Sequence, residues 1–295
     1  MTLGGIMNAS APLLRDANLV YLAYCTSDAW IGDAARPFSS LDFRFRGREY
    51  IDATLATLAA DFGFGATAGT QLLWTGCSAG ARGALFNTYR VAERVRAMAG
   101  ANLKKFGALY DSAFWIDEPP LVASVESFMD EARGAYSAFN VSAPGVLDPA
   151  CVAAHAGADA WKCLYGEYAV ATVAEPFLLH SFQYDLFQLG VDEDLHGRAP
   201  QSADELAYAE GFRNNTRTAA ARDVIAPARE GTAALLPACF RHCNTGGSTF
   251  TTATTNGVSL EDATVSWFSG SGAAPQFIVE DCEGLNCGHD CPKLP

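Results

Sequence analysis

The pentapeptide Gly76-Cys77-Ser78-Ala79-Gly80, read with its flanks, constrains this chain more than any other feature. Before it, Gln71-Leu72-Leu73-Trp74-Thr75 is a short apolar run that reads as a buried strand. After it, Ala79 to about Met98 carries the pattern of a helix. A G-x-S-x-G step between strand and helix is a turn too tight for large side chains, and it lifts the serine hydroxyl clear of the sheet. The helix N-terminus beneath that serine favours negative charge developing there. Five residues of this kind recur by chance, and a plain packing turn is the bland alternative. The strand and helix around them make Ser78 a candidate nucleophile.

The rest of the chain repeats the strand–helix rhythm. Asn18–Cys25 (NLVYLAYC) reads as a buried strand, and residues 47–62 as a helix before the Gly-rich break FGFGATAG. Residues 104–110 (KKFGALY) supply a strand ending at Asp111, and 176–184 (PFLLHSFQY) one ending at Asp185. Residues 118–166 look irregular and helical. A helix is expected from Ser202 to about Asp223, an apolar stretch from Ala233 to Phe240, a helix over 259–268 and a last strand over 276–279. Such alternation predicts an α/β fold, a parallel sheet covered by helices on both faces. The 295 residues suit a single domain of this kind. The Gly/Thr/Asn-rich stretch 244–257 is the best candidate for a mobile loop.

Composition narrows the partners. With 20 basic and 33 acidic residues the net charge is −13, which argues against nucleic acid and anionic membrane surfaces. Hydrophobic residues at 49% against 18% charged mark a core-forming chain. No apolar run reaches the roughly 18–20 residues of a membrane span. The nine cysteines cluster: Cys151 with Cys163, Cys239 with Cys243, and Cys282, Cys287 and Cys291 near the C-terminus. That clustering reads as disulfide staples and an oxidising compartment. His242 and His289 among them raise a zinc alternative, which the C-x₄-C and C-x₃-C spacings make the weaker one. The Cys151–Cys163 pair should close on itself, Cys25 is available to join the others, and Cys77, inside the tight turn, is expected to stay free. Sequons at Asn8, Asn140 and Asn214 add little, and residues 1–6 have no signal-peptide character.

A nucleophilic serine needs a base, and there are five histidines. His155 lies in an Ala/Gly-rich helical stretch, His180 inside a strand, His196 in an acidic loop and His289 in the cysteine-rich tail. His242 follows an apolar stretch late in the chain, the position from which a hydrolase sheet offers its base. The acid comes from Asp185 or Asp111, both at strand ends, and the order Ser78…Asp185…His242 favours Asp185. Asp111 should then border the pocket, or simply cap a turn.

The segments YCTSDAW (24–30), WTGCSAGARG (74–83), YDSAFWID (110–117), SFQYDLFQL (181–189), PACFRHC (237–243) and DCEGLNCGHDCP (281–292) resemble those of the pectin acetylesterase/Notum family, in the same order along nearly the whole chain. The resemblance implies an α/β-hydrolase fold and a triad on Ser78, Asp185 and His242, with the Ala79 N–H as an oxyanion donor. It implies O-acyl ester cleavage on an acylated polysaccharide, acetylated pectin foremost, or on an acylated protein. No metal or organic cofactor is called for, and a monomer in an extracellular or secretory setting is expected. Trp30, Phe114 and Trp115, adjacent to family blocks, are candidate pocket-wall residues beside Asp111, with ordinary aromatic core as the alternative. Two departures stand out. The family elbow S-A-G-G reads Ser78-Ala79-Gly80-Ala81 here, and the family's Gly-Gly oxyanion loop has no match before Ser78, so the single domain over 1–295, with its cysteine-rich tail at about 239–292, is expected to be N-terminally incomplete and a poor esterase as it stands.

Overall fold

A five-stranded parallel sheet carries the molecule, and every side chain of the candidate site hangs from the C-terminal ends of its strands or from the loops just beyond. The computed structural model describes residues 4–34, 44–142 and 145–294. Helix α1 (Gly47–Phe62) precedes β1 (Thr70–Cys77), α2 (Ala79–Ala99) and β2 (Leu103–Asp111). After α3 (Phe128–Ala138) and several short helical turns come β3 (Phe177–His180), the two-residue β4 (Tyr184–Asp185), α4 (Leu186–Asp192) and α5 (Ala203–Ala220). The chain closes with β5 (Thr232–Leu236), β6 (Phe240–Arg241), the hairpin strands β7 (Thr254–Thr255) and β8 (Val258–Ser259), α6 (Leu260–Ser269) and β9 (Phe277–Val279). The sheet order is β1-β2-β3-β5-β9, and β4 pairs with β6 in a separate two-stranded ladder.

Local chemistry explains these boundaries. Helix α1 ends on Gly63 at φ 68°, the left-handed position a glycine reaches without strain. Capping boxes start α5 (Ser202 with Glu205) and α6 (Ser259 with Asp262), each closing two backbone donors that a helix start leaves open. Strands β3 and β5 are buried along their whole length, as central parallel strands must be. Their alternation divides the core in two: Tyr110, Phe177, Leu179 and Leu236 pack towards α2, while Leu109, Leu178 and Leu235 pack towards α6.

Two expectations fail. Asn18–Cys25 is not a strand: it pairs with no described strand, and Leu19, Val20 and Tyr21 are exposed. A short apolar run has no period of its own, so composition could not separate a buried strand from an extended surface segment. The stretch 244–257 is built rather than loose. It holds a helical turn at Thr249–Thr252 and the first strand and turn of the β7–β8 hairpin, it buries Phe250 completely, and its first residues are tied to Asp111 as described below.

Candidate active site

The elbow is dictated by backbone crowding. A Cβ on Gly76 would stand 2.3 Å from the backbone carbon and oxygen of Gly80, so no other residue fits without moving the helix start. Ser78 sits at φ 55°, ψ −122°, a conformation an L-residue holds only when its surroundings over-determine it. Those surroundings are specific. The Ser78 N–H donates to the Asp111 carbonyl at 2.9 Å, and the Ser78 carbonyl accepts from the Arg82 N–H at 2.8 Å, opening α2. Ala79 is the first residue of that helix, so its N–H has no intrahelical partner and is free to meet a negative oxygen.

The candidate acid and base come from the β4–β6 ladder, in which Asp185 is in register with Arg241, the residue before His242. Asp185 caps α4, accepting the N–H groups of Phe187 and Gln188 at 3.0 Å each. With its carboxylate fixed in this way, it meets His242 Nδ1 at 2.8 and 3.0 Å. Asp185 is buried and the His242 side chain is 15% exposed. Burial by itself would lower the His242 pKa, but the charge of Asp185 and its hydrogen bond outweigh that, and the net shift is upward. His242 Nε2, the nitrogen away from Asp185, has no hydrogen-bond partner among the described residues, Ser78 Oγ included.

What joins this pair to the elbow is covalent. Cys77, the residue before Ser78, is disulfide-bonded to Cys243, the residue after His242, with the two Cα atoms 5.7 Å apart. This corrects the expectation of a free Cys77. The thiol belongs to the last residue of β1, ahead of the strained turn, so the bridge spans two segments without bending the elbow itself. Cys77, Asp111 and Cys243 converge within 4.8 Å, but with both sulfurs in one disulfide neither offers a thiolate to a metal. The expected Cys151–Cys163 bond is present, as are Cys239–Cys291 and Cys282–Cys287, while Cys25 is free and exposed.

Asp111 has a different place from the one expected. Instead of bordering a pocket it is completely buried, and its oxygens are fully engaged. Oδ2 accepts the N–H groups of Asn244 and Thr245 at 2.7 and 2.6 Å and the Thr245 hydroxyl at 2.7 Å, and Oδ1 meets His180 Nδ1 at 2.8 Å. Burial opposes this charge, yet His180 and the two backbone donors hold the carboxyl down at about 2. With its carbonyl on Ser78 and its carboxylate on the loop after His242, Asp111 positions both. Phe114 is likewise a core residue, 1% exposed.

The two tryptophans lie nearer the chemistry. Trp30 stacks on Tyr24 and covers the first turn of α2 at Gly80 and Gly83. Trp115 packs against both Phe128 and Phe187, and the Phe187 ring lies 5.3 Å from that of His242. Phe187 was missed in the sequence, although it stands two residues after Asp185, at the start of a helix that any acid at that strand end would cap.

Serine at the elbow, then acid, then histidine, each beyond a successive part of one parallel sheet, is the α/β-hydrolase arrangement. The fold agrees: the crystal structure of the Wnt deacylase Notum from Drosophila superposes with a TM-score of 0.85, covering 99% of this chain and 80% of that one at 22% identity. The pectinacetylesterase family profile matches residues 2–292, and the chain belongs to that family. Similar proteins include palmitoleoyl-protein carboxylesterase NOTUM of Homo sapiens, 26% identical over 96% of this chain and 57% of that protein. Its counterpart from Mus musculus is 24% identical over 95% of this chain and 56% of its own length. The chain thus spans just over half the length of these relatives.

Proposed function

We propose that this chain is a serine carboxylesterase that removes short O-acyl groups, acetyl foremost, from a polysaccharide such as pectin. Ser78 Oγ attacks the acyl carbonyl while His242 Nε2 takes its proton, and Asp185 holds the imidazole with Nδ1–H turned inward. The carbonyl oxygen, now negative, meets the Ala79 N–H. Collapse of the tetrahedral intermediate expels the sugar hydroxyl, which leaves with the proton from His242. Water then attacks the acyl-serine by the same route, releasing the carboxylic acid and restoring Ser78. The observation that supports the reading is the Cys77–Cys243 bond, which links the residue before Ser78 to the residue after a histidine paired with a buried aspartate.

A second reading has the relatives behind it. The Notum proteins are named for cleaving a palmitoleoyl group from protein, and this chain would share their chemistry while differing in the acyl group it accepts. Four disulfides fit an oxidising, secretory or extracellular setting for either substrate. The experiment is hydrolysis of p-nitrophenyl acetate by the full chain beside Ser78→Ala. The reading expects activity that the substitution abolishes with the fold intact; a Ser78→Ala protein as active as the wild type would contradict it.

A further inference from the structure

Arg82 is a buried cation next to the elbow that the proposed chemistry does not use. It lies four residues after Ser78, in the first turn of α2, and its N–H donates to the Ser78 carbonyl at 2.8 Å. Its side chain is only 9% exposed. The guanidinium carbon sits 4.0 Å from the centre of the Trp115 ring, Nη1 pairs with Glu131 of α3 at 3.3 Å, and Nε has no hydrogen-bond partner. Trp115 is also the near end of an aromatic wall. It is 5.9 Å from Phe187, which in turn is 5.3 Å from the His242 ring. A wall of apolar rings running from the base is where the carbon chain of an acyl group would lie, and here the wall ends under a charge.

We infer that Arg82 closes the acyl end of the site and restricts the enzyme to short acyl groups; this rests on the serine-esterase reading above. A chain of two carbons stops before the guanidinium. A chain of eight would have to lift it off Trp115 and away from Glu131, leaving a cation among aromatic rings without its partners, which is strongly unfavourable. The helix that opens at the elbow therefore carries the stop that measures the substrate, one turn past the nucleophile. Removing the arginine should be tolerated by the fold, because Glu131 has a half-exposed side chain, at 52%, and would pass to solvent.

The test compares kcat/KM for p-nitrophenyl acetate and p-nitrophenyl octanoate in the wild type, Arg82→Ala, Arg82→Lys and Trp115→Ala, with Ser78→Ala as the blank. The wild type should prefer acetate at least tenfold. Arg82→Ala should raise the octanoate-to-acetate ratio by tenfold or more, in the range that pocket room for one methylene decides. Trp115→Ala, which frees the guanidinium, should shift the ratio the same way, and Arg82→Lys should leave it within about threefold. A wild type that already takes octanoate as well as acetate would overturn the inference on its own, whatever the variants do. In that case the chain would be held elsewhere, as in the groove of about 340 Å³ that Phe187 lines together with Val125, Gly190 and Val191. An unchanged ratio in a folded Arg82→Ala would overturn it too. If the wild type hydrolysed neither ester, the esterase reading would fall and this inference with it.

Discussion

Two aspartate–histidine pairs stand within this site, built from the same groups at nearly the same distance. In one, His242 Nδ1 meets Asp185 at 2.8 Å; in the other, His180 Nδ1 meets Asp111, also at 2.8 Å. Their surroundings separate them. His242 reaches the surface, whereas His180 and Asp111 are sealed, and in the sheet they are direct neighbours in register. The other oxygen of Asp185 serves a helix cap, while that of Asp111 ties down residues 244 and 245. A carboxylate–imidazole pair is therefore not an active site by geometry alone. On the proposed reading, the pair that exchanges a proton with substrate is His242 with Asp185, whose imidazole is partly exposed, and its sealed twin is a clamp on residues 244 and 245, just after that histidine.

The sharpest way to break this comparison is to neutralise each acid in turn. Asp185→Asn should cut kcat on the order of 10⁴-fold with the fold retained, the scale on which triad acids act. Asp111→Asn should instead cost stability, about 3–5 kcal/mol, because it leaves His180 buried beside an uncharged partner. Its loss of kcat should be well below that of Asp185→Asn. Denaturant unfolding and steady-state rates on both variants decide the matter, and reversed roles would mean that the pairs have been assigned the wrong way round.

Next comes the strap between the two regions. Replacing Cys77 and Cys243 together by alanine should destabilise the protein by about 2–4 kcal/mol. It should also lower kcat, because elbow and base lose their covalent link. The Cys282–Cys287 pair, which closes a loop with a sequence separation of only 5 at the tail, should leave kcat unchanged when both of its cysteines are replaced. Equal effects on kcat would remove the positioning role from the first bridge.

The smallest effects are in pH. The Asp111 carboxyl is held at about 2, below its ordinary 3.8, so the unfolded chain binds the more protons between those values. Its contribution is complete above the ordinary value and is lost as pH falls towards about 2. The stability gap between wild type and Asp111→Asn should close across that window in acid unfolding curves. His242 works as a base only when neutral, and Asp185 raises its pKa above the ordinary 6.5. The acidic limb of kcat/KM should lie above that value and move to lower pH in Asp185→Asn, where burial is no longer outweighed.

The contrast between the pairs also shows what could be read from the chain before its fold. The elbow was legible because strand, turn and helix are contiguous, and the expected helix over 47–62 matches α1 because its stop is a local glycine. The Cys151–Cys163 bond has a sequence separation of 12. What escaped was long-range. The Cys77–Cys243 bridge has a separation of 166, and the burial of Asp111 depends on donors more than 130 residues away. His180 is placed inside a strand by the sequence, but nothing in that strand announces the carboxylate beside it, which depends on how β2 and β3 align. Arg82 carried a local signal, a charge four residues after the serine where small residues prevail, and only packing against Trp115 shows its consequence.

The central claim is that Ser78 is activated by the Asp185–His242 pair and not by the Asp111–His180 pair. A fluorophosphonate probe that labels activated serines, followed by peptide mapping and timed labelling, addresses it without any assumption about substrate. The account predicts a single adduct on the peptide carrying Ser78, formed far more slowly in Asp185→Asn but at a rate close to wild type in folded Asp111→Asn. An adduct on another serine, or labelling of Ser78 that Asp185→Asn leaves unchanged, would contradict it.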